Sequence, residues 1–365
     1  MDAYRVEYCR KINMAGLEQK VSDLGEIRLL GEILHHDVTG KPSEINDDCA
    51  HVDISGEHLL WSIDPCPTPV ANFFGKASAE VWGCYTATIN LSDIAASGGI
   101  PIGMLVSLEM PDDTPISFVR GFQFGLMSTL QAAGATLLGG NVKSAPKFSA
   151  TGTIIGTGRQ KSISRVISST ECAVYLVGES GNFWTAVIGN HFGWGKLSMD
   201  AQETLNKSLC FPRAQTEAGK IIGKLLFDVA CMDCSDGPAN ALFQLAQLNK
   251  LDITVLANPA WSLQLEYIQL LNDNNFSVEN ACYQFGDWQL LCLIPLTECQ
   301  LFEKALHGLP ITKIAYAIRG SGSVCNADGR QLMSTSLNQN FSGGYNSITN
   351  IEELLSRFMR MPIFK

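Results

Sequence analysis

The chain has 365 residues, 46% hydrophobic and 17% charged, enough apolar side chain for two buried cores and the wrong composition for a disordered tail. Its 26 Lys and Arg stand against 36 Asp and Glu, and the formal charge of -10 excludes a nucleic-acid backbone as main partner, since that footprint needs clustered basic residues. The polar start MDAYRVEYCRK, and apolar runs far short of the roughly 20 residues of a bilayer span, predict a cytoplasmic protein without a membrane segment, its 12 Cys mostly reduced.

Leu24 to Leu34 has helical spacing and leads into His35 and His36, which suit the carbonyls at a helix end. His58 to Ile63 reads as a buried strand. From Ala79 to Ala96 apolar residues recur at helical intervals, and Gly98, Gly99 and Pro101 stop the helix. A strand at Ile102 to Leu108 follows. Pro115 then opens a helix whose face carries Phe122, Leu126 and Leu130, closed by Gly134. Thr136 to Leu138 and Phe148 to Gly156 read as strands flanking a turn of Gly139, Gly140 and Asn141. The polar stretch Ser162 to Glu171 marks a domain boundary.

Beyond it the pattern alternates strand and helix: Ala173 to Val177, a helix from Phe183, a helix at Ala214 to Phe227, a strand at Val229 to Met232 and a helix at Pro238 to Leu248. Strands are further predicted at Asp252 to Leu256, Trp288 to Pro295 and Ile311 to Ile318. The aromatic cluster of Phe183, Trp184, Phe192 and Trp194 suits core packing better than ring stacking on a ligand.

No P-loop, dinucleotide fingerprint, nucleophile elbow or zincin motif is present. Cys231 and Cys234 form one CxxC with no second pair at zinc spacing, so they read as small core residues beside an aspartate. What stands out is a set of aspartates where apolar runs stop: Asp47 and Asp48, Asp64, Asp93, Asp233 and Asp236. Each alone suits a cap or a turn. Together they suit Mg²⁺ or Mn²⁺ and a polyphosphate, because converging carboxylates repel unless a hard cation lies between them.

The pieces DDCA (from Asp47), NLSDIAASGGIP (from Asn90), GGN (from Gly139), DCSDG (from Asp233) and GDWQLL (from Gly286) stand in the order found in thiamine-monophosphate kinases. Over about residues 22 to 346 the chain resembles that family, within the PurM-like superfamily of aminoimidazole ribonucleotide synthetase. The resemblance implies a mixed α/β (α+β) fold: an N-terminal extension over 1–21, an ATP-binding and dimerisation domain over 22–162 whose sheet or barrel spans a homodimer, a second α/β domain over 163–335 and a tail over 336–365. It also implies ATP and Mg²⁺ as cofactors, and phosphoryl transfer from ATP to thiamine monophosphate.

By the same resemblance, Asp47, Asp48, Asp64, Asp93, Asp233 and Asp236 hold metal, and Asp47, Asp64, Asp93 and Asp236 serve catalysis. Gly139, Gly140, Asn141, Arg165 and Ser235 meet the nucleotide, Arg159 being a further candidate. Asn72, Asp287, Trp288, Gln289 and Tyr345 face the acceptor. The chain departs from the family at Asn141, where the kinases carry Asp in GGDT, and in PCPTPVANFF, where they carry a substrate-side His. Two alternatives therefore stay open: a superfamily enzyme that activates an amide or formyl oxygen of another small molecule, and a non-catalytic nucleotide-binding dimer.

Overall fold

Ala79–Ala96, helix α1, is capped at its start by Ser78, whose hydroxyl accepts from the Val81 N–H at 3.4 Å, with Glu80 in the first turn facing the positive helix end. From Val81 on, nearly every residue is buried, so α1 has no solvent stripe. Two of its polar side chains bond back to the helix itself: Thr86 donates to Trp82 O at 2.8 Å and Asn90 to Thr86 O at 3.0 Å. The chain turns out of α1 at Gly98, φ +68°. These elements belong to a computed structural model that describes residues 47–55, 57–158, 163–256, 263–332 and 345–365.

The chain divides into two units, Met1–Asn46 with Thr335–Leu354, and Asp47–Ser334 with Leu355–Lys365. The first unit's described part holds a 3-10 turn at Tyr345–Ser347 and the start of a helix, Ile351–Phe358. The helix expected at Leu24 to Leu34, the His35-His36 pair and Arg159 lie outside the described residues.

In the second unit the strands β1 (Ala50–Ile54), β2 (Glu57–Pro65), β3 (Ile100–Met110), β4 (Thr136–Ser144) and β5 (Ser149–Gly158) form an open sheet in the order β1-β2-β5-β3-β4. All its pairs are antiparallel except β3 with β4. Helix α2 (Ile116–Ala132) and α1 pack on one face through Leu60, Met104, Ile154, Phe122, Leu126 and Leu130. The period of two turns the alternate residues outward, which leaves Trp61, Ile63, Ile102, Leu105, Leu138 and Val142 exposed on the other face. Gly139, Gly140 and Asn141 form no turn but continue β4 at the sheet edge, because Gly140 and Asn141 find ladder partners in Val106 and Ser107.

The second sheet joins β6 (Glu171–Val177), β7 (Ala230–Asp233), β8 (Leu251–Val255), β9 (Leu290–Pro295), β10 (Ile311–Arg319) and β11 (Val324–Asn326) in the order β11-β8-β10-β6-β9-β7. Despite the alternating pattern in sequence, its pairs are antiparallel except β11 with β8. Around it lie α3 (Asn182–Phe192), α4 (Met199–Cys210), α5 (Thr216–Ile222), α6 (Pro238–Asn249), α7 (Leu265–Asp273), α8 (Val278–Tyr283) and α9 (Cys299–Ala305). Helix α1 serves both layers: Leu91 and Ile94 enter the first core, Ala95 and Ala96 the second. A Cβ on Gly219 of α5 would lie 2.5 Å from Ala95 O, so glycine there lets the two helices touch backbone to backbone. Phe183 and Trp184 are buried against Phe285, and Cys231 and Cys234 are buried free thiols.

Candidate active site

Three chain segments bring carboxylates to one point: Asp48 just before β1, Asp93 in the last turn of α1 and Asp233 at the end of β7. Their ligand oxygens lie within 4.8 Å of one another, the one such acidic group among the described residues. The side chains are almost closed to solvent, at 2% exposure for Asp48, 8% for Asp93 and 2% for Asp233. Burial pushes the Asp233 carboxyl up to about 7, helped by the charge of Asp48 and opposed by Arg165. Burial also raises Asp93 well above the carboxylate range, with Asp64, Asp233 and Asp48 adding repulsion. Asp48 is raised by burial against the pull of Arg165.

Arg165 forms an ion pair with Asp48. Burial opposes its charge, but Asp48, Asp233 and Asp47 outweigh that and hold the guanidinium protonated. A single arginine cannot neutralise this many acids. One oxygen each of Asp48 and Asp233, both buried, has no hydrogen-bond partner. Unpartnered buried carboxylate oxygens that repel one another are the donor set a hard divalent cation needs, so these residues fit Mg²⁺.

The remaining aspartates take different places. Asp64 lies beside Asp93 and bonds to its carboxyl. Ser62, two residues earlier and so on the same strand face, donates to Asp93 Oδ2. Sequence reading missed Ser62, although its offset from Asp64 was a usable signal. Asp47 is not one of the trio: its Oδ1 accepts from the Asp48 N–H at 2.9 Å and its Oδ2 lies 3.4 Å from His51 Nε2. Ser235 donates to Asp233 Oδ1 at 3.1 Å, while Asp236 is exposed and accepts from Asn240 at 3.3 Å.

Gly139, Gly140 and Asn141 stand farther off. Asp64 pairs with Gly152, Gly152 with Val106 and Val106 with Gly140, one lateral row across four strands. At about 4.8 Å per strand, Gly140 is roughly 14 Å from Asp64, the reach of a nucleotide rather than of a shared ion.

Asn72 is exposed in a 3-10 turn, Val70–Phe74. Asp287 accepts from the N–H groups of Gly181 and Phe183, at 2.6 and 2.9 Å, capping α3, and burial pushes it up to about 7 against those bonds. Trp288 is buried with φ +53°, and Gln289 is fully buried, its amide donating to Ser180 Oγ at 3.2 Å. Tyr345 belongs to the other unit. A cavity of about 940 Å³ opens beside Leu91, Thr129, Arg213, Glu179 and Asp287. Leu91 lies on the opposite side of α1 from Asp93, and none of the three clustered carboxylates lines that cavity.

Residues 46–158 match the family AIR synthase related protein, N-terminal domain. Over 311 residues the chain is 26% identical to the thiamine-monophosphate kinase of Aquifex aeolicus, covering 83% of this chain and 94% of that one. It is 27% identical to the Bacillus subtilis thiamine-monophosphate kinase over 286 residues, 74% of this chain and 84% of the relative. A solved structure, AaThiL complexed with AMPPCP and TMP, superposes with a TM-score of 0.72 at 24% identity, over 87% of this chain and 97% of that one, a likeness of fold.

Proposed function

We propose that this chain, a thiamine-monophosphate-kinase-like protein with an AIR synthase related N-terminal domain, is an ATP-dependent kinase that converts thiamine monophosphate to thiamine diphosphate. The observation that carries the reading is the convergence of Asp48, Asp93 and Asp233 from three separate segments. The alternatives of amide activation and of a non-catalytic dimer find no support among the relatives, which are kinases.

Asp48, Asp93 and Asp233 would hold Mg²⁺, with Asp64 reaching the site through Asp93. Bound there, Mg²⁺ neutralises phosphate charge as it builds on the transferred group. Arg165 orients Asp48 and opposes the rise that burial gives its carboxyl, and Ser62 and Ser235 fix single oxygens of Asp93 and Asp233. Gly139 to Asn141 lie at nucleotide distance along the sheet row and suit the rest of ATP. The acceptor phosphate is already anionic at neutral pH, so positioning and charge neutralisation replace a strong general base. Asn72, Asp287, Trp288 and Gln289 remain the proposed acceptor side; with Gln289 and Trp288 buried, these two act by shaping the wall behind it.

Incubation with Mg-ATP and thiamine monophosphate should give ADP and thiamine diphosphate in equal amounts. ADP without the diphosphate would overturn the acceptor, and no calorimetric binding of a non-hydrolysable ATP analogue with Mg²⁺ would overturn the nucleotide site.

The open apolar face of the first sheet supports a homodimer, since Ile63 and Val142 are 64% and 66% exposed on it among other large apolar residues. Sedimentation should give twice the mass of one chain, and the paired change Ile63→Asp with Val142→Asp should give monomer. A wild-type monomer at micromolar concentration would contradict the dimer. Free, mostly buried thiols suit a reducing cytoplasm.

A further inference from the structure

A chain of hydrogen bonds leads from the surface to Asp47 and ends on a bare nitrogen. Asp53 Oδ1 meets His58 Nδ1 at 2.8 Å, and His58 Nε2 meets His51 Nδ1 at 3.0 Å. His51 Nε2 then lies 3.4 Å from Asp47 Oδ2, buried and without a hydrogen-bond partner. Asp53 is 81% exposed, whereas His58 at 7%, His51 at 20% and Asp47 at 10% are mostly buried, so only the Asp53 end stands in solvent.

Counting protons decides what the inner end can do. Three links join two carboxylates through two imidazoles, and each link needs one proton; with both rings in the neutral form that ligation of a metal requires, the pair carries only two. The two short links take them: His58 Nδ1–H donates to Asp53, and His51 Nδ1–H donates to His58 Nε2. That leaves His51 Nε2 as a lone pair facing a carboxylate oxygen, two donors to a cation with nothing between them. Their 3.4 Å separation is the span of two ligands on one ion at about 2.1 Å each. A ligating histidine usually has its other ring N–H held by an acceptor, which here is His58 backed by Asp53.

We propose that His51 Nε2 and Asp47 Oδ2 form a second metal position beside the carboxylate trio, and that its nitrogen donor favours a first-row transition ion such as Mn²⁺ over Mg²⁺. His58 is a positioning residue, fixing the tautomer that leaves Nε2 free. Water and substrate phosphate oxygens complete the coordination. The proposal rests on the metal reading of the neighbouring acids, but nitrogen at the ion is its own signature.

The test uses the whole chain with Mn²⁺ alone, with histidines labelled by ¹⁵N, and reads electron spin-echo modulation. The wild type should show ¹⁵N coupling to Mn²⁺. His51→Gln should abolish it and weaken Mn²⁺ about tenfold or more. His58→Leu should also weaken Mn²⁺, whereas His58→Gln, which keeps an acceptor for the His51 N–H, should restore it. Mn²⁺ bound without nitrogen coupling overturns the proposal while leaving the kinase reading intact, and nitrogen coupling without thiamine diphosphate formation overturns only the latter. Should His51→Gln fail to fold, the labelled wild-type spectrum still decides.

Discussion

Asp93→Asn should lower ATP turnover by about 10²-fold or more while the protein gains stability without metal. Both effects follow from one cause. Asp93 is buried, bonded to Asp64 and repelled by Asp233 and Asp48. An amide removes the repulsion, and with it an anionic ligand. In metal-free wild type, Asp233 titrates near 7 when folded against 3.8 as its ordinary value. Between those pH values the folded chain holds protons that the unfolded chain has released, so stability is lost as pH rises from about 4 through 7.

Melting temperature without metal should therefore be lower at pH 8 than at pH 5, and Mg²⁺ should recover it at pH 8. Asp287, also raised to about 7 but capping α3 outside the trio, adds a slope of the same sign that Asp93→Asn leaves in place. The variant should lose most of the Mg²⁺-dependent gain. Unchanged turnover, or an equal Mg²⁺ shift in both proteins, would refute the ligand role.

Gly83→Val should destabilise the fold by about 3 kcal/mol or more. A Cβ at Gly83 would stand 2.0 Å from Phe122 O and 2.6 Å from Leu126 N, both backbone atoms of α2. The reverse contact is as close, a Cβ on Gly125 lying 2.1 Å from Glu80 O of α1. No rotamer relieves a clash between two helix backbones, so α1 must move away. Because α1 is packed into both cores and carries Asp93 ten residues later, the same displacement should weaken Mg²⁺ binding. Gly75→Ala is the control: φ is +66° but its Cβ would touch nothing, and the cost should be about 1 kcal/mol from backbone strain. Urea unfolding measures both, and a Gly83→Val cost no larger than the control would refute the close-crossing argument.

The two halves of the site differ in how visible they were in the sequence. The aspartates were conspicuous because each ends an apolar run, a local signal that needs no knowledge of the fold. Helix α1 was legible over Ala79–Ala96 because a serine cap and a glycine exit bracket it. Arg165 carried no local signal for an ion pair with Asp48, 117 residues away. The His58–His51 line was equally hidden, since its members face one another only once β1 and β2 are paired in register.

Composition and periodicity alone determined a globular, acidic protein of mixed α and β elements, with carboxylates and glycines at the ends of those elements. Tertiary structure decided which ends meet: that Asp48, Asp93 and Asp233 converge while Asp236 stays exposed, that Gly139 to Asn141 extend an edge strand, and that an alternating pattern folds into a mainly antiparallel sheet. Local patterns reflect the energies of a few neighbouring residues, whereas convergence depends on strand register and helix crossing, which backbone contacts such as Gly83 with Phe122 set across the whole unit.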